Sequence, residues 1–217
     1  MHRSINNLAL VNEQIKSNFD NLPNFKIIAV SKTFAMSDIE PLIESGHSHF
    51  GENKVQDATD KWTDVKEKYV NLKLHMIGKL QTNKVKYVIP LFDYIHSLDN
   101  IKLAEKISKE QDKRNKYLKI FIQVNIGNES QKSGILVNDL ESFYKKCVED
   151  LKLDIIGLMC IPPQDAFVTE YFKKMNELNK NLNLKELSMG MSEDYLDAIK
   201  HGATYVRIGS KIFGQRI

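Results

Sequence analysis

Cysteine is scarce in this sequence. Cys147 and Cys160 are the only two cysteines, and they form no CxxC pair. A chain with so few cysteines is not a disulfide-stabilised scaffold, and the simplest interpretation is a protein of the reducing cytoplasm. Each cysteine falls in a helical or apolar pattern, so we interpret both as structural residues and not as reactive thiols.

Long apolar runs and a large charge of one sign are also missing. The N-terminal stretch LALV is too short for the core of a signal peptide, and no segment elsewhere is long enough to span a bilayer. The formal net charge is only +3, which argues against a dedicated nucleic-acid-binding protein. We therefore expect neither a membrane nor a nucleic acid among the partners, and we place the protein in the cytoplasm.

A regular alternation of apolar segments and helical patterns is what the sequence does contain. The length of 217 residues predicts one domain, residues 1–217. A first amphipathic helix follows a candidate N-cap at Ser4 and carries apolar residues at helical spacing as far as Leu22. We predict strands at 25–31, 49–51, 72–78, 94–97, 118–126, 155–161, 184–190 and 204–209. We predict further helices at 37–45, 53–66, 82–88, 100–114, 138–150, 165–182 and 192–201.

The central strands indicate the fold class. The segments LKIFIQVNI and LDIIGLMCI are almost continuously apolar, as are the strands of a parallel sheet that is buried on both faces. Eight such strands interleaved with helices predict an α/β protein, a single (β/α)8 TIM barrel. A doubly wound open sheet is the alternative.

Lys32 stands at the end of the first predicted strand, in IIAVSKTF. In a barrel of this type the C-terminal ends of the strands face the active site. One interpretation of Lys32 is a side chain whose methylene stem lies along the surface while the amine reaches solvent. The other is an amine kept partly neutral by burial and able to form a Schiff base. Lys32 alone does not decide between them.

Polar residues and a glycine lie at or just after the ends of several other predicted strands. They are Glu52, Asn53, Gln81, Asn83, Asn125, Ser192, Arg207, Gly209 and Ser210. The loops MGMS and IGS offer glycine and hydroxyl groups after strands seven and eight, where barrels often bind phosphate. Alternatively, Ser192 caps the next helix and Gly209 is an ordinary turn. Arg207, in the apolar strand YVRIG, needs a partner, which is either a salt bridge inside the barrel or a ligand at its mouth.

Together, the lysine, the anion loops and the arginine resemble a known family. The chain resembles the pyridoxal 5′-phosphate homeostasis proteins, the YggS/PROSC-like family, whose barrel is similar to the N-terminal domain of alanine racemase. The motifs run nearly end to end, in the order AVSKT, HFGENKVQ, HMIGKLQTNK, QVNIGNESQKSGI, GLMCIP, LSMGMSEDYLDAI and VRIGSKIFG. Each motif is modestly specific, whereas all of them in order are highly specific. One departure is Lys79, where proline is common in the family.

The resemblance implies a set of cofactor-binding residues. Lys32 would carry pyridoxal 5′-phosphate as a Schiff base, and Asn53 would line the cofactor pocket. Ser192, Gly209 and Ser210 would hold the phosphate. No catalytic residue and no metal ligand is assigned.

Arg207 would face the pyridine nitrogen of the cofactor, again by resemblance. Because arginine has only donors, it cannot give a proton to that nitrogen, and the ring would act as a weakened electron sink. Resemblance to alanine racemase would also imply a second domain that supplies a tyrosine as the opposite acid or base. The sequence ends soon after Ser210, so we expect no such domain, and nothing places Tyr195 or Tyr205 in that role.

The resemblance therefore implies a monomeric carrier or buffer that serves intracellular vitamin B6 homeostasis, with apo pyridoxal-phosphate-dependent enzymes as recipients. The first alternative is a pyridoxal-phosphate-dependent amino-acid racemase or related enzyme. A Schiff-base enzyme without a cofactor and a barrel that only presents an interaction surface are two others. His47 and His49 have HxH spacing, but no further ligands accompany them, so we expect no metal site. We interpret His75 as a packing residue or an indirect contributor to the pocket.

Overall fold

The computed structural model describes residues 2–21, 23–163 and 168–215. Its strands are β1 (Lys26–Val30), β2 (His49–Glu52), β3 (Lys73–Met76), β4 (Tyr94–Leu98), β5 (Lys119–Gln123), β6 (Ile155–Met159), β7 (Glu186–Ser188) and β8 (Tyr205–Ile208). Its α-helices are α1 (Arg3–Asn18), α2 (Met36–Glu44), α3 (Val55–Lys68), α4 (Val85–Leu91), α5 (Ile101–Arg114), α6 (Leu140–Lys145), α7 (Val168–Asn181), α8 (Tyr195–Lys200) and α9 (Ser210–Phe213). Short 3-10 turns precede α4 and α6, and a π-helical turn, Lys146–Asp150, follows α6.

The strands form a closed parallel barrel. They pair in chain order, and β8 pairs with β1, with Ile28 beside Arg207 and Ala29 beside Ile208. This closure confirms the predicted (β/α)8 barrel and rules out the doubly wound open sheet, in which the first and last strands do not pair. Because the strands are parallel, their C-terminal ends and the loops that follow them meet at one mouth.

Apolar side chains pack on both sides of the strands. The larger cluster fills the space between the strands and the surrounding helices and includes the fully buried Phe50 and Trp62. A smaller cluster fills the inside of the barrel and consists of Ile28, Tyr94, Phe121, Met159 and Tyr205, with Ile156 packed against it. Burial on both faces explains why the central strands read as continuous apolar runs.

The boundaries of the elements differ from the predictions in several places. The seventh strand was predicted over 184–190, but only Glu186–Ser188 is extended. The helix predicted over 192–201 begins at Tyr195, because the residues before it form a turn. The helix predicted over 138–150 is divided among a 3-10 turn, α6 and the π-helical turn. Two predicted positions, Leu22 and Asp165, lie outside the described residues.

The predicted cap of α1 is wrong by two residues. The helix already begins at Arg3, and the backbone N–H of Ser4 donates to Nδ1 of His2 at 3.3 Å. The hydroxyl of Ser4 lies 2.8 Å from the same ring nitrogen, and Ser4 is buried. His2 is therefore the capping residue, in place of the more common serine.

Both cysteines are buried inside the protein. Burial raises the pKa of Cys147 and of Cys160 to about 12, so both are neutral thiols near neutral pH. A neutral buried thiol is a poor nucleophile, which supports the structural interpretation of both residues. In the described part of the chain, no helix combines the length and the apolar character that crossing a membrane requires.

Candidate functional site

A cavity of about 1050 Å³ opens at the C-terminal mouth of the barrel. All of the predicted cofactor-binding residues line it: Lys32, Asn53, Ser192, Arg207, Gly209 and Ser210. They come from β8 itself, from the loops after β1, β2, β7 and β8, and from the first residue of α9, and most of these segments are far apart in sequence. Because β7, β8, β1 and β2 are successive neighbours around the closed barrel, these residues meet on one side of the mouth.

Lys32 lies in a tight turn directly after β1 and is half-buried. The backbone N–H of Phe34 donates to the carbonyl of Ser31 at 3.2 Å and closes the turn around Lys32 and Thr33. Thr33 has φ of +71°, a conformation that is unfavourable for a β-branched side chain. Strained residues of this kind persist only where the surrounding structure holds them, so the turn that carries Lys32 is a constrained one.

A buried carboxylate holds the residue before Lys32. Glu52, at the end of β2, accepts hydrogen bonds through Oε1 from Ser31 Oγ at 2.8 Å, Lys61 Nζ at 2.9 Å and Trp62 Nε1 at 2.9 Å. Lys61 Nζ also donates to the carbonyl of Ser31 at 2.9 Å. The side chain of Glu52 is 1% exposed, so its charge depends on these donors for compensation. This cluster ties the end of β1 to α3 and so supports the Lys32 turn.

Asn53 comes directly after β2 and lines the cavity, on the side opposite to Glu52, so the alternation of side chains along β2 continues for one more residue. Its backbone lies directly against Gly78, which follows β3. A Cβ atom at Gly78 would lie 2.2 Å from the carbonyl oxygen of Asn53 and 2.7 Å from its Cα. Only glycine allows the two strand ends to approach this closely.

Replacing Gly78 by alanine should therefore destabilise the protein. We expect Gly78→Ala to lower the free energy of unfolding by about 1–3 kcal/mol, because backbone atoms must move to admit the methyl group. Gly209→Ala is the matched control: its Cβ would approach Val30 no closer than 3.4 Å, so we expect a change below about 0.5 kcal/mol. Urea unfolding measures both, and equal losses would contradict this account of Gly78.

The glycine of the MGMS loop has a structural role that the sequence did not reveal. Gly190 has φ of +89°, and a Cβ there would lie 2.5 Å from the Cβ of Ala198. Its carbonyl accepts the backbone N–H of Arg207 at 2.9 Å. Gly190 therefore shapes the loop and joins it to β8, and it does not lie among the residues that line the cavity.

Ser192 joins the loops after β7 and β8. Its Oγ accepts the backbone N–H of Gly209 at 3.3 Å, so it does not serve as the cap of α8. Asp194 holds the same loop, because its Oδ1 accepts the backbone N–H of Met191 at 2.6 Å. Burial raises the pKa of Asp194, while its hydrogen bond from Met191 and the charge of Arg207 act in the opposite direction.

Arg207 is 5% exposed and lies at the base of the cavity. One terminal nitrogen donates to Ser188 Oγ at 2.8 Å and the other donates to the carbonyl of Cys160 at 2.9 Å. Burial lowers the pKa of Arg207. The predicted alternative of a salt bridge is wrong, because within the described residues its partners are a hydroxyl and a carbonyl. Two of its five N–H groups make these bonds, which leaves donors on the side that lines the cavity.

The charged side chains around the cavity favour an anionic ligand. Within the described residues the lining includes Lys32, Lys79, Lys132 and Arg207, against only Glu193 and Asp194. Lys132 is already paired with Glu129 and donates to the carbonyl of Pro162 at 3.1 Å. The excess of positive side chains along the lining would attract an anion to the mouth of the barrel.

Some polar residues at predicted strand ends do not belong to the site, and others were missed. Gln81 and Asn83 are exposed and lie outside the cavity lining, at the start of the 3-10 turn that precedes α4. Gln123, by contrast, lines the cavity beside Asn125. The signal for Gln123 was available, since it lies two residues before Asn125 on the same side of an extended segment.

The histidines do not form a metal site in the described ranges. His47 precedes β2, contacts the carbonyl of His49 through Nε2 and packs edge-on against Phe50. His49 instead points into the barrel, where its Nδ1 lies 2.9 Å from Nε2 of His75. Among the described residues, no group of three or more His, Cys, Asp or Glu side chains is arranged to hold a metal ion.

The closed barrel carries an amine, a buried guanidinium and two hydroxyl-bearing loops at its mouth. It belongs to the class of barrels related to the N-terminal domain of alanine racemase. The family model described as "Alanine racemase, N-terminal domain" matches residues 7–217. The alanine racemase of Clostridium difficile 630 shares this fold, with a TM-score of 0.70 at 15% identity, over 97% of this chain and 57% of that chain.

Two more similar proteins narrow the assignment. The pyridoxal phosphate homeostasis protein of Aquifex aeolicus is 39% identical over 88% of this chain and 87% of its own length. PipY of Synechococcus elongatus PCC7942, solved with pyridoxal phosphate (PLP) bound, is 30% identical, with a TM-score of 0.86 over 97% of this chain and 100% of that chain. The chain belongs to the pyridoxal phosphate homeostasis proteins, within the alanine racemase N-terminal domain family.

Proposed function

We propose that this protein binds pyridoxal phosphate at the mouth of its barrel and serves pyridoxal phosphate homeostasis as a carrier or buffer. The observation that carries the proposal is the convergence of Lys32, Arg207 and the Ser192–Gly209 contact on one cavity. The names of its relatives and the pyridoxal phosphate bound to PipY support the same ligand. In this proposal residues 1–217 act as one domain, the protein is monomeric and cytoplasmic, and apo enzymes that use the cofactor receive it.

The residues present fit the chemistry of this cofactor. When bound, pyridoxal phosphate supplies an aldehyde that condenses with an amine, with loss of one water, and an electron-withdrawing ring. Lys32 is the amine that would bind the aldehyde carbon from the constrained turn after β1. The hydroxyls of Ser192 and Ser210, with the backbone at Gly209, would hold the phosphate. Arg207, already fixed by two acceptors, would donate from the base of the cavity to the ring nitrogen.

The donor at the base of the cavity favours holding the cofactor over catalysis with it. Arg207 stays protonated and has only donors, so a ring nitrogen facing it receives a hydrogen bond but no proton. An unprotonated ring withdraws electrons less strongly, and carbanion chemistry on bound amino acids is correspondingly disfavoured.

The arrangement of tyrosines and histidines supports the same conclusion. Within the described residues, neither type lines the cavity. Tyr195 belongs to α8 and donates to Gln14 Oε1 at 2.5 Å, while Tyr205 lies in the apolar cluster inside the barrel. Neither is placed to act as an acid or base opposite Lys32. Incubating the loaded protein with a panel of L- and D-amino acids tests this point, and rapid racemisation that Lys32→Ala abolishes would favour an enzyme.

The phosphate site has its own test. We expect Ser192→Ala combined with Ser210→Ala to weaken binding of pyridoxal phosphate by about tenfold to a hundredfold, because each hydroxyl would donate to a charged acceptor. Binding of pyridoxal, which lacks the phosphate, should hardly change. Ser142→Ala, on an exposed position of α6, is the control. Titration followed by absorbance measures the wild-type protein, the double variant and the control with both ligands. A parallel loss of pyridoxal affinity would show that these serines do not contact the phosphate.

A further inference from the structure

A continuous row of hydrogen-bonded side chains runs through the inside of the barrel and ends at Arg207. Nδ1 of His49 lies 2.9 Å from Nε2 of His75, and Nδ1 of His75 lies 2.9 Å from Nε2 of His96. Nδ1 of His96 lies 2.9 Å from Ser188 Oγ, the same oxygen that accepts from Arg207. We call His49, His75, His96 and Ser188 the histidine chain.

The histidine chain joins the two ends of the barrel. His49 is the first residue of β2, at the N-terminal end, and is half-buried. His75, His96 and Ser188 are each 0% exposed, and Ser188, at the end of β7, contacts Arg207, which lines the cavity. The histidine chain therefore lies in the interior and reaches the base of the site from the N-terminal end of the barrel.

Aromatic neighbours hold the two buried rings in place. The ring of His75 stacks on Tyr94, with centroids 4.2 Å apart and planes 10° apart. The ring of His96 stacks on Phe121, with centroids 4.2 Å apart and planes 22° apart. Fixed ring planes keep each nitrogen aimed at its neighbour, so the spacing along the histidine chain is maintained by packing.

The chemistry of Arg207 fixes the direction in which hydrogen bonds are donated along the histidine chain. Because Arg207 can only donate, Ser188 Oγ accepts from it, and the hydroxyl proton goes to Nδ1 of His96. His96 then carries its proton on Nε2 and donates to His75, which in turn donates from Nε2 to Nδ1 of His49. The reverse direction would aim two N–H donors at Ser188 Oγ and leave its hydroxyl proton with no acceptor among the described hydrogen bonds.

This direction requires neutral imidazoles, and the surroundings supply that condition. Burial lowers the pKa of His75 and of His96 well below the usual value, and the charge of Arg207 lowers that of His96 further. Burial lowers the pKa of His49 to about 4. Several charged or titratable groups face His49. His47, Lys26 and Lys73 lower its pKa, whereas Asp93 raises it. The rings of Tyr94 and Tyr205 also lie near the His49 ring.

We propose that the histidine chain positions Arg207: its three imidazoles, in one neutral tautomer, present Ser188 Oγ as an acceptor and so determine which N–H groups of Arg207 face the ligand. The four residues are positioning residues and do not touch the ligand. They do not deliver protons to it, because Arg207 retains its own. The identity of the ligand, and nothing else in this inference, rests on the proposed function.

The tautomers can be measured in the protein without ligand. Nitrogen-15-labelled histidine and two-bond proton–nitrogen correlation spectra report which ring nitrogen carries the proton and whether the ring is charged. We expect His49, His75 and His96 to be neutral and protonated on Nε2 between about pH 5 and 8. A charged His96, or one protonated on Nδ1, would overturn the proposal.

Substitutions of Arg207 test whether this residue sets the direction of hydrogen-bond donation along the histidine chain. Arg207→Lys keeps a charged donor near Ser188, and we expect His96 to keep its tautomer. Arg207→Leu removes the donor and frees the hydroxyl to turn, so His96 should populate both tautomers. An unchanged His96 spectrum in Arg207→Leu would show that the histidine chain is not organised around Arg207.

A pair of serines tests the effect on the ligand. We expect Ser188→Ala to weaken binding of pyridoxal phosphate by about tenfold, the effect of losing one hydrogen bond to a charged group. Ser97→Ala is the matched control, because Ser97 is also buried but its hydroxyl has no partner among the described atoms. Equal affinities of the two variants would overturn the proposal. If the wild-type protein bound no pyridoxal phosphate, the proposed function would fail, and the tautomer spectra would still decide on the histidine chain.

Discussion

Replacing Lys32 by alanine should abolish covalent retention of pyridoxal phosphate. Lys32 is the half-buried amine that the turn between Ser31 and Phe34 holds at the cavity. In the wild-type protein, borohydride treatment after loading should leave a pyridoxyl group on the peptide that contains Lys32, as mass spectrometry of the digest would show. In Lys32→Ala that modification should be absent, while weaker, reversible binding through the phosphate and ring contacts should persist.

Lys79→Ala is the matched control for this experiment. Lys79 also lines the cavity but is exposed, and we assign it no covalent role. We expect this variant to be modified on Lys32 to the same extent as the wild-type protein. Modification of the wild-type protein on Lys79 or Lys132, with Lys32 untouched, would show that the cofactor uses a different amine.

The largest loss of stability is expected from Glu52→Ala. The carboxylate is almost fully buried and compensates the charge of Lys61, whose side chain is 14% exposed. Without it, the ammonium and the donors of Ser31 and Trp62 lose their common acceptor. Breaking a buried ion pair by removing one partner costs about 3–5 kcal/mol, and we expect a loss of this size in the free energy of unfolding.

Chemical denaturation of Glu52→Ala, Glu52→Gln and Glu40→Ala would test this expectation. Glu52→Gln keeps one acceptor oxygen and should fall between the wild-type protein and Glu52→Ala. Glu40 pairs with Lys68 at the surface, with both side chains substantially exposed, so Glu40→Ala should cost no more than about 1 kcal/mol. A loss in Glu52→Ala as small as that in Glu40→Ala would mean that the cluster does not anchor the end of β1.

The same cluster links stability to the site. The carbonyl of Ser31 accepts a hydrogen bond from Lys61, and its hydroxyl donates one to Glu52. Ser31 directly precedes Lys32 in the sequence. Loss of the cluster should therefore loosen the turn as well as lower stability. We expect borohydride to fix less pyridoxal phosphate on Lys32 in Glu52→Ala, even under conditions where that variant is fully folded.

The order of the elements and the fold class could be predicted from the sequence because both depend on local pattern. Strands buried on both faces produce continuous apolar runs, and the helices between them produce apolar residues at helical spacing. Closure of the barrel confirmed this interpretation. The cavity residues could be predicted for a related reason. In a parallel barrel all C-terminal strand ends share one mouth, so polar residues such as Lys32 and Ser192, which follow the strands, meet there.

What the sequence could not decide is the direction and the partner of each side chain. Glu52 and Asn53 are adjacent polar residues after the same predicted strand, yet only Asn53 faces the cavity, while Glu52 packs against α3. A shift of one residue in register would exchange them, and local composition does not specify the register.

The partners of the histidine chain could not be predicted from the sequence either, and here the residues are farther apart along the chain. His49, His75 and His96 lie on successive strands with whole helices between them, and no spacing in the sequence relates them. Their alignment results from the stagger of neighbouring strands in the closed barrel, which brings each ring within hydrogen-bonding distance of the next. Local pattern was therefore enough to predict the order of strands and helices and the mouth where the polar residues gather, although several element boundaries shifted. Which of these residues touch is a property of the folded barrel, because contacts across a barrel depend on register and closure and not on local pattern.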